Sequence, residues 1–174
     1  MNSDLLILGI GNEMRGDDAA GIIPARNLAG RFSGAARLES NPYMLWNLLQ
    51  SGIAQSHLAL IDAAVAHNGF EVGQWRCFDY PGQMGMIEGT VLRNTHSVDV
   101  TSMLRLGETL HILPPNVRIY AVAASEFEPG PHVSPALASH LGGIEEAIGY
   151  DLECWLEAET CMNFPSHDPF ATSR

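Results

Sequence analysis

The sequence is poor in basic side chains. It has 9 Lys and Arg residues against 20 Asp and Glu residues, which gives a formal net charge of −11. A nucleic-acid duplex or an anionic membrane would be repelled by this average field, and no cluster of basic residues reverses it locally. The composition therefore disfavours a nucleic-acid-binding or membrane-surface protein, whereas a cationic partner suits the charge.

The sequence also has few cysteines and no long apolar run. Cys77, Cys154 and Cys161 are far apart and form no C-x-x-C pair or zinc-binding pattern, so we expect reduced thiols in a reducing compartment. No stretch reaches the roughly 18 apolar residues that span a bilayer. The opening MNSDLLILGIGNE lacks the basic segment of a signal peptide. We therefore expect a cytoplasmic protein.

Short apolar runs alternate with segments of helical periodicity through most of the chain. Strands are predicted at residues 5–10, 36–39, 57–61, 71–78 and 117–124, and helices after residue 18 and at 43–50, 98–110 and about 134–159. Residues 82–94 are predicted to form a loop. Alternation of this kind predicts one three-layer α/β domain, over residues 1–160, around a largely parallel sheet. Residues 161–174 are predicted to be a flexible tail.

Several side chains that can bind a metal ion fall near predicted strand ends. Asp17 and Asp18 follow the first strand, Asp62 ends the third, and His96 precedes a helix. Ligands collect at the carboxyl ends of strands in open α/β sheets, and carboxylate plus imidazole suits a divalent ion. Other readings stay open, because either first-loop acid can be a helix N-cap, Asp62 a turn residue and His96 a surface residue.

The glycine-rich opening does not match a nucleotide-binding loop. Four residues separate Gly11 from Gly16, whereas a dinucleotide-binding fingerprint has two at that place, and no Gly-Lys-Ser/Thr follows. Asp17 and Asp18 would also repel a pyrophosphate at the next helix N-terminus. G-x-S-x-G, H-E-x-x-H and Cys–His signatures are absent as well, so an ordinary serine, zinc or cysteine hydrolase has no support.

The segment LLILGIGNEMRGDDAAG resembles the N-terminal signature of the nickel-iron hydrogenase maturation endopeptidases, in which G-x-G-N, G-D-D and a further glycine follow an apolar strand. The resemblance continues in order through LALIDAAVA, NTHSVDVTSML and VAASEFEPGPHVSPAL, over roughly residues 4–158. It implies a twisted, mostly parallel five-stranded sheet flanked by helices. It also implies a protease that removes the C-terminal extension of a hydrogenase large-subunit precursor after nickel insertion.

The resemblance implies that Asp18, Asp62 and His96 contact the metal. We expect these residues to bind the nickel that the precursor carries, in a monomeric, aspartyl-type endopeptidase with no tightly bound cofactor of its own. The base that activates water is left open among Asp17, Glu39 and the three ligands. A non-catalytic metal-sensing chaperone and a conventional metallopeptidase remain as alternatives.

The sequence departs from the family pattern in two places. Ala19 follows the paired acids where many members have Gly, and Glu39-Ser40-Asn41 stands where many have Asp-Gly-Gly. If the family Asp takes part in cleavage, Glu39 has to act with a longer side chain. The second departure is the place where we expect a distinct precursor specificity.

Overall fold

The structure is a computed structural model and describes residues 4–32, 36–39, 42–89 and 100–162. Its strands are β1 (Leu5–Ile10), β2 (Ala36–Glu39), β3 (His57–Val65), β4 (Trp75–Tyr80) and β5 (Asn116–Ala124). Its α-helices are α1 (Ile22–Arg31), α2 (Pro42–Ser51), α3 (Met84–Gly89), α4 (Val100–Thr109), α5 (Pro135–Ala138) and α6 (Leu141–Met162). A 3-10 helix, Gly16–Ala20, precedes α1.

The five strands form one sheet in the order β2-β1-β3-β5-β4. The pairs β1–β2, β1–β3 and β3–β5 are parallel, and β4 is antiparallel to β5 at one edge. The carboxyl ends of the four parallel strands therefore point to one edge of the sheet, which we call the carboxyl edge. The prediction of a mostly parallel, five-stranded α/β sheet is confirmed.

The sheet separates two apolar cores because successive strand residues point to opposite faces. Leu6, Leu8 and Ile10 of β1 pack on one face with side chains of α2 and α4. Leu5 and Ile7 pack on the other face with side chains of α1 and α6. Helices on both faces give the three layers that the sequence predicted. No helix in the described ranges has both the length and the apolar character needed to cross a bilayer.

The prediction that β3 ends at residue 61 was wrong. It runs to Val65, because β5 pairs with it along its full length, up to Val65 with Ala124. On the other side β1 pairs only as far as Gly9 with Ile61. Asp62 therefore lies within β3, at the level where β1 comes to its end.

Other elements also differ from the predictions. β4 begins at Trp75 instead of residue 71, because Gly73, with φ of 88°, forms a turn before it. The predicted loop at 82–94 contains α3. The predicted helix at 134–159 is two helices, α5 and α6, separated at residues 139–140. Since α6 continues to Met162, only residues 163–174 of the predicted tail lie outside the described residues.

Candidate functional site

Two glycines shape the first loop, which we define as residues 11–20. Gly11 has φ of 145° and Gly16 has φ of 54°, a region in which residues with a Cβ are strained. A Cβ on Gly11 would overlap the carbonyl oxygen of Asp18, and a Cβ on Gly16 would lie 2.5 Å from the carbonyl oxygen of Glu126. Both glycines of the motif are therefore required by close backbone packing.

A third glycine brings the first loop onto the sheet. A Cβ on Gly21 would overlap the carbonyl oxygens of Ile10 and Ile61 and lie 3.0 Å from the Cα of Asp62. The backbone between the 3-10 helix and α1 thus rests directly on the ends of β1 and the adjoining part of β3. This contact places the turn that carries Asp18 beside the segment of β3 that carries Asp62.

The carboxylate of Asp17 is completely buried and accepts four hydrogen bonds. Its Oδ2 accepts from the backbone N–H groups of Ser125 and Glu126, both at 3.1 Å, and from the Ser134 hydroxyl at 3.0 Å. Its Oδ1 accepts from the backbone N–H of Ser134 at 2.7 Å. Asp17 therefore joins the first loop to both ends of the segment between β5 and α5, which we call the β5 loop (residues 125–134).

Backbone contacts join the same two loops. The backbone N–H of Gly16 donates to the carbonyl of Gly130 at 2.9 Å, and that of Asp17 donates to the carbonyl of Glu126 at 2.7 Å. The N–H of Gly130 donates in turn to the Met14 carbonyl at 2.9 Å. The Arg15 guanidinium adds a bond of 3.3 Å to the Phe127 carbonyl. The two loops are therefore linked along most of their length.

Neither first-loop acid occupies the N-cap position of the helix that follows. The N-cap position of α1 is Gly21, and no side chain accepts a hydrogen bond there. The N-cap interpretation of Asp17 and Asp18 was wrong, because the 3-10 helix separates these residues from α1. Ala19 lies inside this 3-10 helix with no left-handed backbone, so glycine is not needed at that position.

Asp18 and Asp62 are both buried, with relative exposures of 4% and 0%. The Oδ1 atom of Asp62 accepts a hydrogen bond of 2.8 Å from the backbone N–H of Ala63. Since β3 continues past Asp62, its interpretation as a turn residue was wrong. Asp62 has the same parity along β3 as Leu58 and Leu60, so its side chain leaves the sheet on the face covered by α2 and α4.

The structure describes only part of Glu39 and nothing of His96, the two remaining residues that the sequence predicted for the site. Glu39 is the last residue of β2 and pairs in register with Ile10, so its backbone lies at the carboxyl edge. Its side chain is outside the described part of the structure. His96 falls in residues 90–99, which lie outside the described residues. Among the residues that are described, no group of three or more His, Cys, Asp or Glu side chains is arranged to hold a metal ion.

Sequence reasoning missed Ser134, the partner of Asp17 in the β5 loop. Its hydroxyl also accepts from the N–H of Leu137 at 3.1 Å and so caps α5, with Pro135 at the first helical position. Ser followed by Pro is a recognised signal for a helix start. The long-range bond to Asp17 has no such local signal, because 117 residues separate the two.

The fold is similar to those of several solved structures. The hydrogenase maturation protease HybD from Thermococcus kodakarensis matches with a TM-score of 0.68 and 21% identity, over 85% of this chain and 97% of that one. The hydrogenase maturating endopeptidase HybD from E. coli matches with a TM-score of 0.63 and 16% identity, over 83% and 88%.

A third match is the maturation protease HycI from T. kodakarensis KOD1, with a TM-score of 0.60 and 18% identity over 87% and 93% of the two chains. No protein-family model matches the sequence. No curated protein sequence matches it either. The chain has the fold of the hydrogenase maturation proteases, as its sequence motifs implied.

Proposed function

We propose that this protein is an endopeptidase that removes the C-terminal extension of a nickel-iron hydrogenase large-subunit precursor after nickel insertion. The observation that carries the proposal is the pair of buried acids, Asp18 and Asp62, on adjoining elements at the carboxyl edge of this fold. The fold likeness to maturation proteases and the ordered sequence motifs support it. The competing assignment is a chaperone that docks on the precursor without cutting it.

In this proposal the nickel belongs to the substrate. Asp18, Asp62 and His96 supply oxygen and nitrogen ligands to nickel that the precursor already holds, and the enzyme carries no tightly bound cofactor. A divalent cation is attracted strongly to carboxylates away from bulk water, because the low local dielectric weakens screening. A precursor without nickel lacks this attraction and is spared. Bound nickel also orients the scissile peptide near the site.

Burial sets a condition on this binding. Asp62 has no exposed surface and Asp18 has 4%. Nickel carried by another protein reaches Asp62 only if the groups that cover this carboxylate move aside. The proposal therefore includes a change of conformation when the precursor binds, a step common among regulatory interactions.

The choice of catalytic base is narrowed by the hydrogen bonds of Asp17. Both of its oxygens already accept bonds from the β5 loop. To reach a water molecule, this carboxylate would have to give up bonds that hold the two loops together. We therefore propose Glu39 or one of the three residues that contact the metal as the base. We further propose that the protein acts in the cytoplasm as a monomer.

The proposal is tested by incubating the protein with a nickel-loaded large-subunit precursor and measuring the precursor mass. Loss of a C-terminal peptide by wild type is the expected result. Stable binding with an unchanged precursor mass would favour the chaperone and overturn the protease. A conventional metallopeptidase is distinguished by chelation and dialysis of the enzyme alone, which would abolish its activity and leave that of the proposed enzyme unchanged.

A further inference from the structure

The hydrogen bonds of Asp17 bear on how the neighbouring residue, Asp18, is held in place. Asp17 directly precedes Asp18, and its carboxylate bonds only to the β5 loop in the contacts described above. We infer that Asp17 is a positioning residue that makes the first loop and the β5 loop one rigid unit, and thereby fixes the backbone that presents Asp18. The part of this inference that concerns the precursor rests on the proposed function.

The coupling works from both the side chain and the main chain of Asp17. Its carboxylate holds Ser125 and Ser134, the two ends of the β5 loop, while its backbone N–H donates to the carbonyl of Glu126 at 2.7 Å. The N–H of Asp18 closes the turn by donating to the Arg15 carbonyl at 3.1 Å. Rotation of the Asp18 backbone therefore requires several of these bonds to break together.

The β5 loop also presents an exposed surface beside the first loop. Glu126, Glu128 and His132 are exposed, as is Met14, whose carbonyl accepts from the N–H of Gly130. A precursor that contacts these side chains contacts two segments that backbone hydrogen bonds hold together. Rigid coupling then makes the precursor bind a preformed surface and lowers the ordering cost of binding.

Hydrogen exchange on the free protein tests the coupling without any substrate. Asp17→Asn keeps the size of the side chain but places an NH2 group among donors, so we expect exchange in residues 14–18 and in residues 125–134 to accelerate together, by about tenfold or more. Asp151→Asn is the matched control, because Asp151 also accepts several hydrogen bonds but lies near the opposite end of β5. It should not accelerate exchange in these two segments beyond what its loss of global stability produces throughout the sheet.

A milder variant covers the case in which Asp17→Asn does not fold. Ser134→Ala removes one of the four bonds to Asp17 together with the cap of α5. It should accelerate exchange in the same two segments, by a smaller factor. Acceleration confined to residues 125–134, with residues 14–18 unaffected in either folded variant, would overturn the inference.

Precursor kinetics supply the second readout. In Asp17→Asn we expect KM for nickel-loaded precursor to rise about tenfold or more, with a smaller change in kcat per folded molecule, because the metal ligand is displaced instead of removed. The ratio of binding affinities for loaded over unloaded precursor, measured from the two dissociation constants, should fall as well. Unchanged KM and ratio, with wild type active, would overturn the positioning role. An inactive wild type would refute the proposed function, while the exchange experiment would still decide the coupling.

Discussion

Two carboxylates near opposite ends of β5 are satisfied in different ways. Asp151 of α6 accepts from the guanidinium of Arg118 at 3.0 Å and from the hydroxyl of Tyr120 at 2.7 Å, and its side chain is 35% exposed. Asp17 at the other end is completely buried and accepts from backbone N–H groups and one serine. A cation stabilises the first carboxylate, and oriented amide dipoles stabilise the second.

The difference indicates different roles. Arg118 also binds Asp79 at 2.7 Å and lies over the ring of Trp155 at 4.5 Å, so its network ties β4, β5 and α6 together. Such a network holds secondary-structure elements together. Its disruption should therefore lower the stability of the fold without changing the candidate site. The bonds of Asp17 fix two loops that flank the candidate site. Substitutions near Asp151 should therefore change stability, and substitutions near Asp17 should change activity per folded molecule.

The largest effect should come from Asp18, which we propose contacts the metal. We expect Asp18→Asn to lower the rate of precursor processing by about a hundredfold or more, since even outer partners of metal ligands cost about 10–100-fold. The thermal midpoint should change little. Precursor mass followed over time gives the rate, and Asp151→Asn serves as the control at the opposite end of β5. Full activity of Asp18→Asn would remove this residue from the site.

The next effect concerns the packing of the first loop on the sheet. Gly21→Ala should lower the free energy of unfolding by about 3 kcal/mol, because its Cβ would overlap two carbonyl oxygens. Gly30→Ala is the matched control in α1, where a Cβ meets nothing within 4 Å. It should stabilise the protein by about 0.5–1 kcal/mol, since alanine favours the helix. Urea unfolding measures both. Equal, small changes would contradict the close approach of the loop and the sheet.

A smaller effect is expected at the opposite end of β5. Asp151→Asn should lower the free energy of unfolding by about 1–2 kcal/mol, because the partly exposed carboxylate loses its charge and Arg118 keeps its bond to Asp79. Precursor processing per folded molecule should stay at the wild-type rate. A loss of processing comparable to that of Asp18→Asn would abolish the distinction between the two carboxylates.

The smallest effect expected near neutral pH is on the reactivity of the Cys77 thiol, which lies beside this network. Burial raises the pKa of Cys77 to about 12, with the charge of Asp151 adding to the rise and that of Arg118 opposing it. We expect iodoacetamide at pH 8 to label Cys154, which is exposed, well before Cys77. Peptide mapping by mass spectrometry measures both. Labelling of Cys77 as fast as Cys154 in the folded protein would contradict the raised pKa of this half-buried thiol.

The raised pKa of Cys77 also predicts that the folded protein loses stability at alkaline pH. The folded pKa of Cys77 lies above the ordinary value of 9.0, so its contribution is present below pH 9 and is lost as the pH rises toward about 12. Cys77→Ser should make the decline with pH shallower over this range, because serine does not ionise there. An identical pH dependence of unfolding for both proteins would contradict this account.

Much of the fold follows from local pattern. The apolar run at residues 5–10 and the alternation of strands and helices are short-range signals, and they predicted the three layers and the largely parallel sheet. The end of β3 was missed because it depends on which neighbour is longer. β5 pairs with β3 as far as Val65, whereas β1 pairs with it only as far as Ile61. No residue near the end of β3 encodes that difference.

The site was predictable only in part. The proximity of Asp18 to the edge of the sheet follows from the glycine motif, whose members Gly11 and Gly16 admit no side chain. The hydrogen bonds of Asp17 were not predicted, because an acid before a helix has the same local pattern as an N-cap. Its actual partners, Ser125 and Ser134, lie more than a hundred residues away and are set by the sheet order.

The proposed recognition of nickel in the precursor can be measured with a single substrate in two states. Nickel-loaded and nickel-free forms of the same precursor are incubated with the protein, and the C-terminal extension is followed by mass spectrometry. The loaded form should be shortened, and the unloaded form should keep its full mass. Processing of both forms at the same rate would contradict it.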